Sequence, residues 1–276
     1  MLATTQYHRR GPDYRFGEQV GFIDIKQTFG FSHVRVGRWV TREETKLAAN
    51  LVFDSLADLA FMLKLPPIAL GLRETVSLAF GHGGRKGVQA HYAPGSRELA
   101  LAKNAGAGAL AHEFWHAFDH YIAPKAFQSD DITDRLRPQR QGVSAGRFRF
   151  ASDAWLADAP MIAHPLNERL ALIFSTVLLS ANGQDSHDYV KRAIALDKHY
   201  GGLYFSSPTE LMARAFEASI ESSTLIDNPY LVSGTQKSRL AQEGAYPDMA
   251  HQGHILKRVV EYFEPLGDAL DKQING

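Results

Sequence analysis

Cysteine is absent from this 276-residue chain. No disulfide can hold it, and any bound metal must rely on histidine and carboxylate, which favours a catalytic site over a thiolate-bound structural one. The absence also fits a reducing compartment. Net charge is lacking as well, since 30 Lys and Arg balance 30 Asp and Glu. Such a chain has no global field to draw it to nucleic acid or to an anionic membrane. Long hydrophobic runs are missing: the longest, Leu170 to Leu179, is about half of what a bilayer span needs. The opening residues Met1 to Arg10 are polar and show no apolar secretory core. No G-x-x-x-x-G-K-[ST] loop occurs, so the glycines at 81, 83, 84 and 87 fit a hairpin turn and not a phosphate cradle. These absences predict a cytoplasmic protein without a membrane partner. Hydrophobic residues at 45% and charged residues at 22% are ordinary for a globular chain. The length suffices for a single domain over 1–276, with an N-terminal α/β lobe over 1–105 and a helical lobe over 106–276.

What is present is concentrated in one short run, His112-Glu113-Phe114-Trp115-His116. It reads H-E-x-x-H. Histidines at i and i+4 share one helix face about one turn apart. That spacing lets both imidazoles reach one tetrahedral Zn2+, with Glu113 placed as general base for a metal-activated water. The local pattern is helical. Leu110, Phe114, Ala117, Phe118 and Tyr121 supply an apolar face, and Pro124 predicts the stop of a helix of about 15 residues.

The rest of the chain reads as α+β. Phe22 to Ile25 and His33 to Val36 read as short strands. Thr41, with Glu44 three residues on, predicts a capping box opening a helix that runs to about Leu65, before Pro66-Pro67. Strands are expected at Val76 to Phe80, Val88 to Tyr92 and Glu98 to Ala102. They would form a small antiparallel or mixed sheet packed on the H-E-x-x-H helix. The stretch 124–164 is polar and poorly periodic. Helices follow at about 165–181, 186–199, 208–222 and 252–272, with a loop over 223–250. The C-terminal half is therefore mainly helical.

Zinc with two histidines and an open position needs one more protein ligand. Positions 119 and 122 are Asp and Ile, so the extension H-E-x-x-H-x-x-G-x-x-H is not met. Downstream, Ser207 and Pro208 read as N-cap and first residue of a helix carrying Glu210. Glu210 either ligates or closes a capping box on Ser207. Glu217, two turns later on the same face, is the fallback ligand.

The pairing of His112-Glu-Phe-Trp-His-Ala-Phe-Asp119 with Glu210-Leu-Met-Ala-Arg-Ala-Phe216 resembles gluzincin-type metallopeptidases, and most closely the lethal-factor-like pattern. Residues 70–222, through Phe80 to Tyr92 and Gly106 to Glu113, also resemble a zincin-like domain of large polyvalent proteins of phages and conjugative elements. The first 40 and last 50 residues are similar to an uncharacterised bacterial family labelled after the metallopeptidase part of calcium-activated chloride-channel regulators, a label that carries no channel function. The resemblance implies a zincin-like fold, Zn2+ held by His112, His116 and Glu210, Glu113 as catalytic base, and a peptide or protein substrate. It also implies a tyrosine shortly before the glutamate ligand as oxyanion donor, with Tyr204 preferred over Tyr200. In many gluzincins an acid four residues after the third ligand orients a ligand histidine. Arg214 stands there in this chain, and Asp119, three residues after His116, is the candidate carboxylate to orient a ligand histidine in its place.

Two other readings compete. One is a zinc-binding but non-proteolytic domain of a phage, mobile-element or defence system. The other is nucleic-acid association through Arg135, Arg137, Arg140, Arg147 and Arg149. Neutral charge and only Phe148 and Phe150 as interleaved aromatics argue against that, and a solvated loop or lid over 130–150 fits better.

Overall fold

The computed structural model of the chain describes residues 8–82, 90–103, 108–128 and 148–276. The fold is α+β, with a small four-stranded mixed sheet and a helical C-terminal half. The chain divides into two compact units: one drawn from Met1–Phe114, Ile220–Gly234 and Phe263–Gly276, the other from Trp115–Ser219 and Thr235–Tyr262. The expected strand start at Val88, the glycines 83, 84 and 87, and the arginines 135, 137, 140 and 147 lie outside the described residues.

The first unit opens with α1 (Phe22–Phe29), where a strand was expected over Phe22 to Ile25. The helix wins for two local reasons. Gly21 N–H donates to the Asp24 carboxylate at 2.7 Å, anchoring the first turn. Phe22, Ile25 and Phe29 are all buried, and their spacing follows the helical period. Gly30, at φ +69°, ends the helix in the left-handed region that glycine enters without strain. Next come β1 (Val34–Val36) and α2 (Arg42–Met62). The capping box at α2 forms as expected: Thr41 Oγ1 accepts from Glu44 N–H at 3.3 Å, and Glu44 Oε2 accepts from Thr41 N–H at 2.9 Å.

Three strands complete the sheet, β2 (Ser77–Phe80), β3 (Ala90–Ala93) and β4 (Glu98–Leu101), in the order β1-β2-β4-β3. The first two pairings are parallel, and β3 runs antiparallel to β4 with Tyr92 opposite Leu99. β3 is thus an edge strand. The core of this unit stacks Phe22 on Phe80, with ring centroids 5.6 Å apart, and sets Phe29 edge-on to Phe53 at 5.1 Å. Burying each such ring contributes about 1.5–3 kcal/mol. The segment Ile220–Gly234 is tied to α2 by polar contacts. Fully buried Asp58 accepts from Arg9 Nε at 2.6 Å and from Asn228 Nδ2 at 2.8 Å. A buried carboxylate is tolerated because its oxygens are paired.

The remaining helices are α3 (Leu110–Ala126), α4 (Ala151–Leu156), α5 (Pro165–Leu178), α6 (Asp188–Tyr200), α7 (Pro208–Glu221), α8 (Arg239–Gln242) and α9 (Met249–Asn275). Pro124, expected to stop α3, lies in its last turn, where a missing N–H removes one helical bond. Helices α4 and α8 form inside stretches that read as irregular; both are short, and short helices carry little periodicity. In the second unit Trp115, fully buried, meets Phe118 at 5.4 Å and Phe216 at 4.9 Å. Phe118 continues to Tyr262 at 5.6 Å. Among the described residues no helix is long and apolar enough to cross a membrane.

Candidate metal centre

Helix α3 is set by its N-terminus and its apolar face. Gly108 stands at φ +82°, where a Cβ would meet Ser233 Oγ at 2.1 Å, so only glycine fits. Its N–H donates to Tyr230 O at 2.8 Å, and Ala111 N–H donates to Leu231 O at 3.1 Å. Leu110, Phe114, Trp115, Phe118 and Ile122 are buried along one side of the helix. His112 and His116 occupy another face and are half-buried.

Helix α7 begins as expected, with Pro208 in first position and Ser207 Oγ accepting from Glu210 N–H at 3.4 Å. Ser207 N–H donates to Tyr204 O. The Glu210 carboxylate reaches α3, where its Oε1 lies 3.3 Å from His116 Nε2. One donor atom from each of His112, His116 and Glu210 lies within 4.8 Å of the others. Two imidazole nitrogens and one carboxylate oxygen are a donor set suited to a zinc ion with one position left open. The separation of 3.3 Å fits as well. Donors at about 2.1 Å on a tetrahedron are about 3.4 Å apart. An isolated His–Glu pair would account for that contact but not for the convergence of His112.

Glu113 is 7% exposed, and its Oε2 accepts from Tyr92 N–H on β3 at 2.6 Å. Glu217 is buried and is not among the three converging donors; its charge acts on Arg214. Asp119 is fully buried, and its two oxygens accept from Ser152 N–H at 2.8 Å and Ser152 Oγ at 2.5 Å. Its contact is therefore with α4, while its charge also acts on His116. Burial pushes its carboxyl up to about 6, against the pull of the Ser152 donors.

Tyr204 and Tyr200 part company. Tyr200 donates its hydroxyl to Glu243 Oε2 at 2.5 Å, whereas Tyr204 interacts with the Glu210 carboxylate. Burial and then the Glu210 charge push the Tyr204 phenol up to about 12, so it stays a proton donor at neutral pH. The loop carrying it is pinned by Asp197, a residue no motif singled out. Asp197 accepts from the N–H groups of Tyr204, Phe205 and Ser206 at 2.9, 2.8 and 2.9 Å. Burial disfavours the Asp197 charge, but these bonds and Ser206 Oγ outweigh it and lower its pKa.

Arg214, which replaces the expected acid, is also buried. Its guanidinium carbon lies 5.3 Å from the Tyr204 ring, 4.9 Å from Phe205 and 5.4 Å from Tyr246. Burial opposes its charge, yet Tyr246, Tyr204, Glu217 and Glu210 outweigh this and raise its pKa. Tyr246 lies beyond α8, so no local pattern could have marked this cage.

A family model described as large polyvalent protein-associated domain 1 matches residues 196–270. The match holds Asp197, Tyr204, Glu210, Arg214 and Tyr246, while His112, Glu113 and His116 precede it. It meets the resemblance to large polyvalent proteins over 196–222 and extends it toward the C-terminus. No curated protein and no solved structure matches the chain. By sequence, then, the chain is similar over this stretch to a domain associated with large polyvalent proteins.

Proposed function

We propose that the chain is a zinc-dependent metallopeptidase. The observation that carries this reading is the convergence within 4.8 Å of His112 and His116, on the helix that also bears Glu113, with Glu210 of α7. His112, His116 and Glu210 would hold the ion. A zinc there supplies a Lewis acid that polarises the scissile carbonyl and lowers the pKa of water to about 7. Glu113 takes the proton of the attacking water and returns it to the leaving amine. With Oε2 held by Tyr92 N–H, its other oxygen is the one that moves protons. Tyr204 donates its hydroxyl to the developing oxyanion. β3 ends the strand order of the sheet, and an extended peptide would add to it as a strand.

The test is elemental analysis of tag-free protein followed by cleavage of a mixed fluorogenic peptide pool. One zinc per chain is expected, with turnover that Glu113→Gln abolishes without loss of metal. Equal turnover in that variant rejects the general base, and no zinc after reconstitution rejects the whole reading. The match to a large polyvalent protein-associated domain names an association and no reaction. It is equally compatible with a second reading, a zinc-binding domain without hydrolytic turnover, for which the expected result is stoichiometric zinc and no cleavage by the unaltered chain.

A further inference from the structure

The two oxygens of Glu210 face different partners. Oε1 is 3.3 Å from His116 Nε2, and Oε2 is 3.9 Å from Arg214 Nε. Arg214 Nε is buried and makes no hydrogen bond. Tyr204, Phe205 and Tyr246 surround the guanidinium within 5.4 Å. Rings facing a cation in this way hold it by their quadrupoles, more strongly where water is excluded. Two of the three rings belong to the loop that Asp197 pins through three backbone amides.

We propose that Arg214 is a positioning residue that keeps Glu210 a one-oxygen ligand. Its fixed positive charge retains Oε2 on the far side of the carboxylate, so Oε1 alone reaches the metal and one coordination position stays open for water. This rests on the metal reading above. The physical argument is a competition. A buried carboxylate oxygen needs a positive neighbour. With Arg214 in place that neighbour is the guanidinium, beside the Tyr204 hydroxyl that also meets the carboxylate; without it the positive charge left beside Glu210 is the metal's, and both oxygens turn to the ion. The same cation cages against Tyr204, so it also fixes the ring that would donate to the oxyanion.

The experiment replaces zinc by cobalt(II), whose visible absorption is stronger in four-coordinate than in five-coordinate sites, and measures zinc affinity by chelator competition. The unaltered chain should give a four-coordinate spectrum. Arg214→Met should give a weaker, five-coordinate spectrum and tighten zinc binding about tenfold, because a buried like charge is removed from beside the ion. Arg214→Lys, which keeps the charge, should restore the four-coordinate spectrum. Where Arg214→Met does not fold, Arg214→Gln against Arg214→Lys makes the same comparison. A neutral variant with unchanged spectrum and affinity overturns the inference, as does a lysine variant that behaves like the neutral one. An unaltered chain that takes up no cobalt overturns the metal reading itself.

Discussion

The amide of Tyr92 donates a 2.6 Å hydrogen bond to Glu113 Oε2, joining the outer edge of β3 to the acid of the H-E-x-x-H run. Tyr92 pairs with Leu99, and an N–H that turns away from β4 marks a non-hydrogen-bonded pair. The bond is therefore free of the ladder and can be removed without breaking it.

Tyr92→Pro removes that donor, and proline is tolerated on the outer side of an edge strand. Because the bond favours the charged carboxylate, its loss should raise the Glu113 pKa. The acid limb of the kcat profile should move to higher pH, and kcat should fall about tenfold or more, a part of what a positioned base contributes. Tyr92→Phe keeps the amide and should keep the limb in place. The pH dependence of peptide cleavage in both variants checks this.

Phe216 is 1% exposed and packs on Trp115 at 4.9 Å, joining α7 to α3. Phe216→Ala should cost about 3–5 kcal/mol by urea denaturation. Glu210 rides on the same helix, so zinc affinity should weaken in parallel. A stable variant with unaltered affinity would show that α7 is placed by other contacts.

Ser152 gives both of its donors to Asp119. Ser152→Ala removes the hydroxyl and leaves a buried carboxylate under-satisfied, at a cost of about 1–3 kcal/mol. Since the hydroxyl opposes the rise that burial causes and holds the Asp119 pKa at about 6, its removal should raise it further. NMR titration of the carboxyl reads the shift, and a downward shift would contradict the assignment.

His251 stacks on His187 with centroids 3.8 Å apart, and its Nε2 lies 2.7 Å from Thr176 O. Nε2 then carries the proton, and Nδ1 is buried without a partner. Burial first, with the neighbouring His187 and His254 adding to it, depresses His251 to about 4 from an ordinary 6.5, against the Thr176 bond and the Asp248 charge. The unfolded chain therefore binds this proton first. Its contribution is fully present above pH 6.5 and is lost as pH falls toward 4, by roughly 3 kcal/mol. Tm should drop steeply over that window, and His251→Gln, which keeps a donor toward Thr176, should flatten the drop. An equally steep drop in the variant would place the acid lability elsewhere.

Much of the fold was legible because local rules carry it. Thr41 and Glu44 formed their capping box, Ser207 and Pro208 opened α7, and α5, α6, α7 and α9 fell within a few residues of their expected bounds. The misreading at Phe22 to Ile25 came from a short apolar run, which periodicity alone does not assign to helix or strand. The α+β class and the candidate donors His112, His116 and Glu210 were likewise readable from the chain, the first two because i and i+4 share a helix face.

Tertiary structure decided the rest. It set Glu210, in the first turn of α7, beside His116, and left Glu217 outside the three converging donors. It sent Tyr200 to Glu243 and Tyr204 to Glu210. It gave Asp119 to Ser152, on a helix that carried no periodic signal. It built the Arg214 cage from Tyr204, Phe205 and Tyr246. Spacing along a helix is a property of the backbone and is written locally. Which side chain meets a buried charge from another element depends on packing across the chain, and no window of sequence contains it.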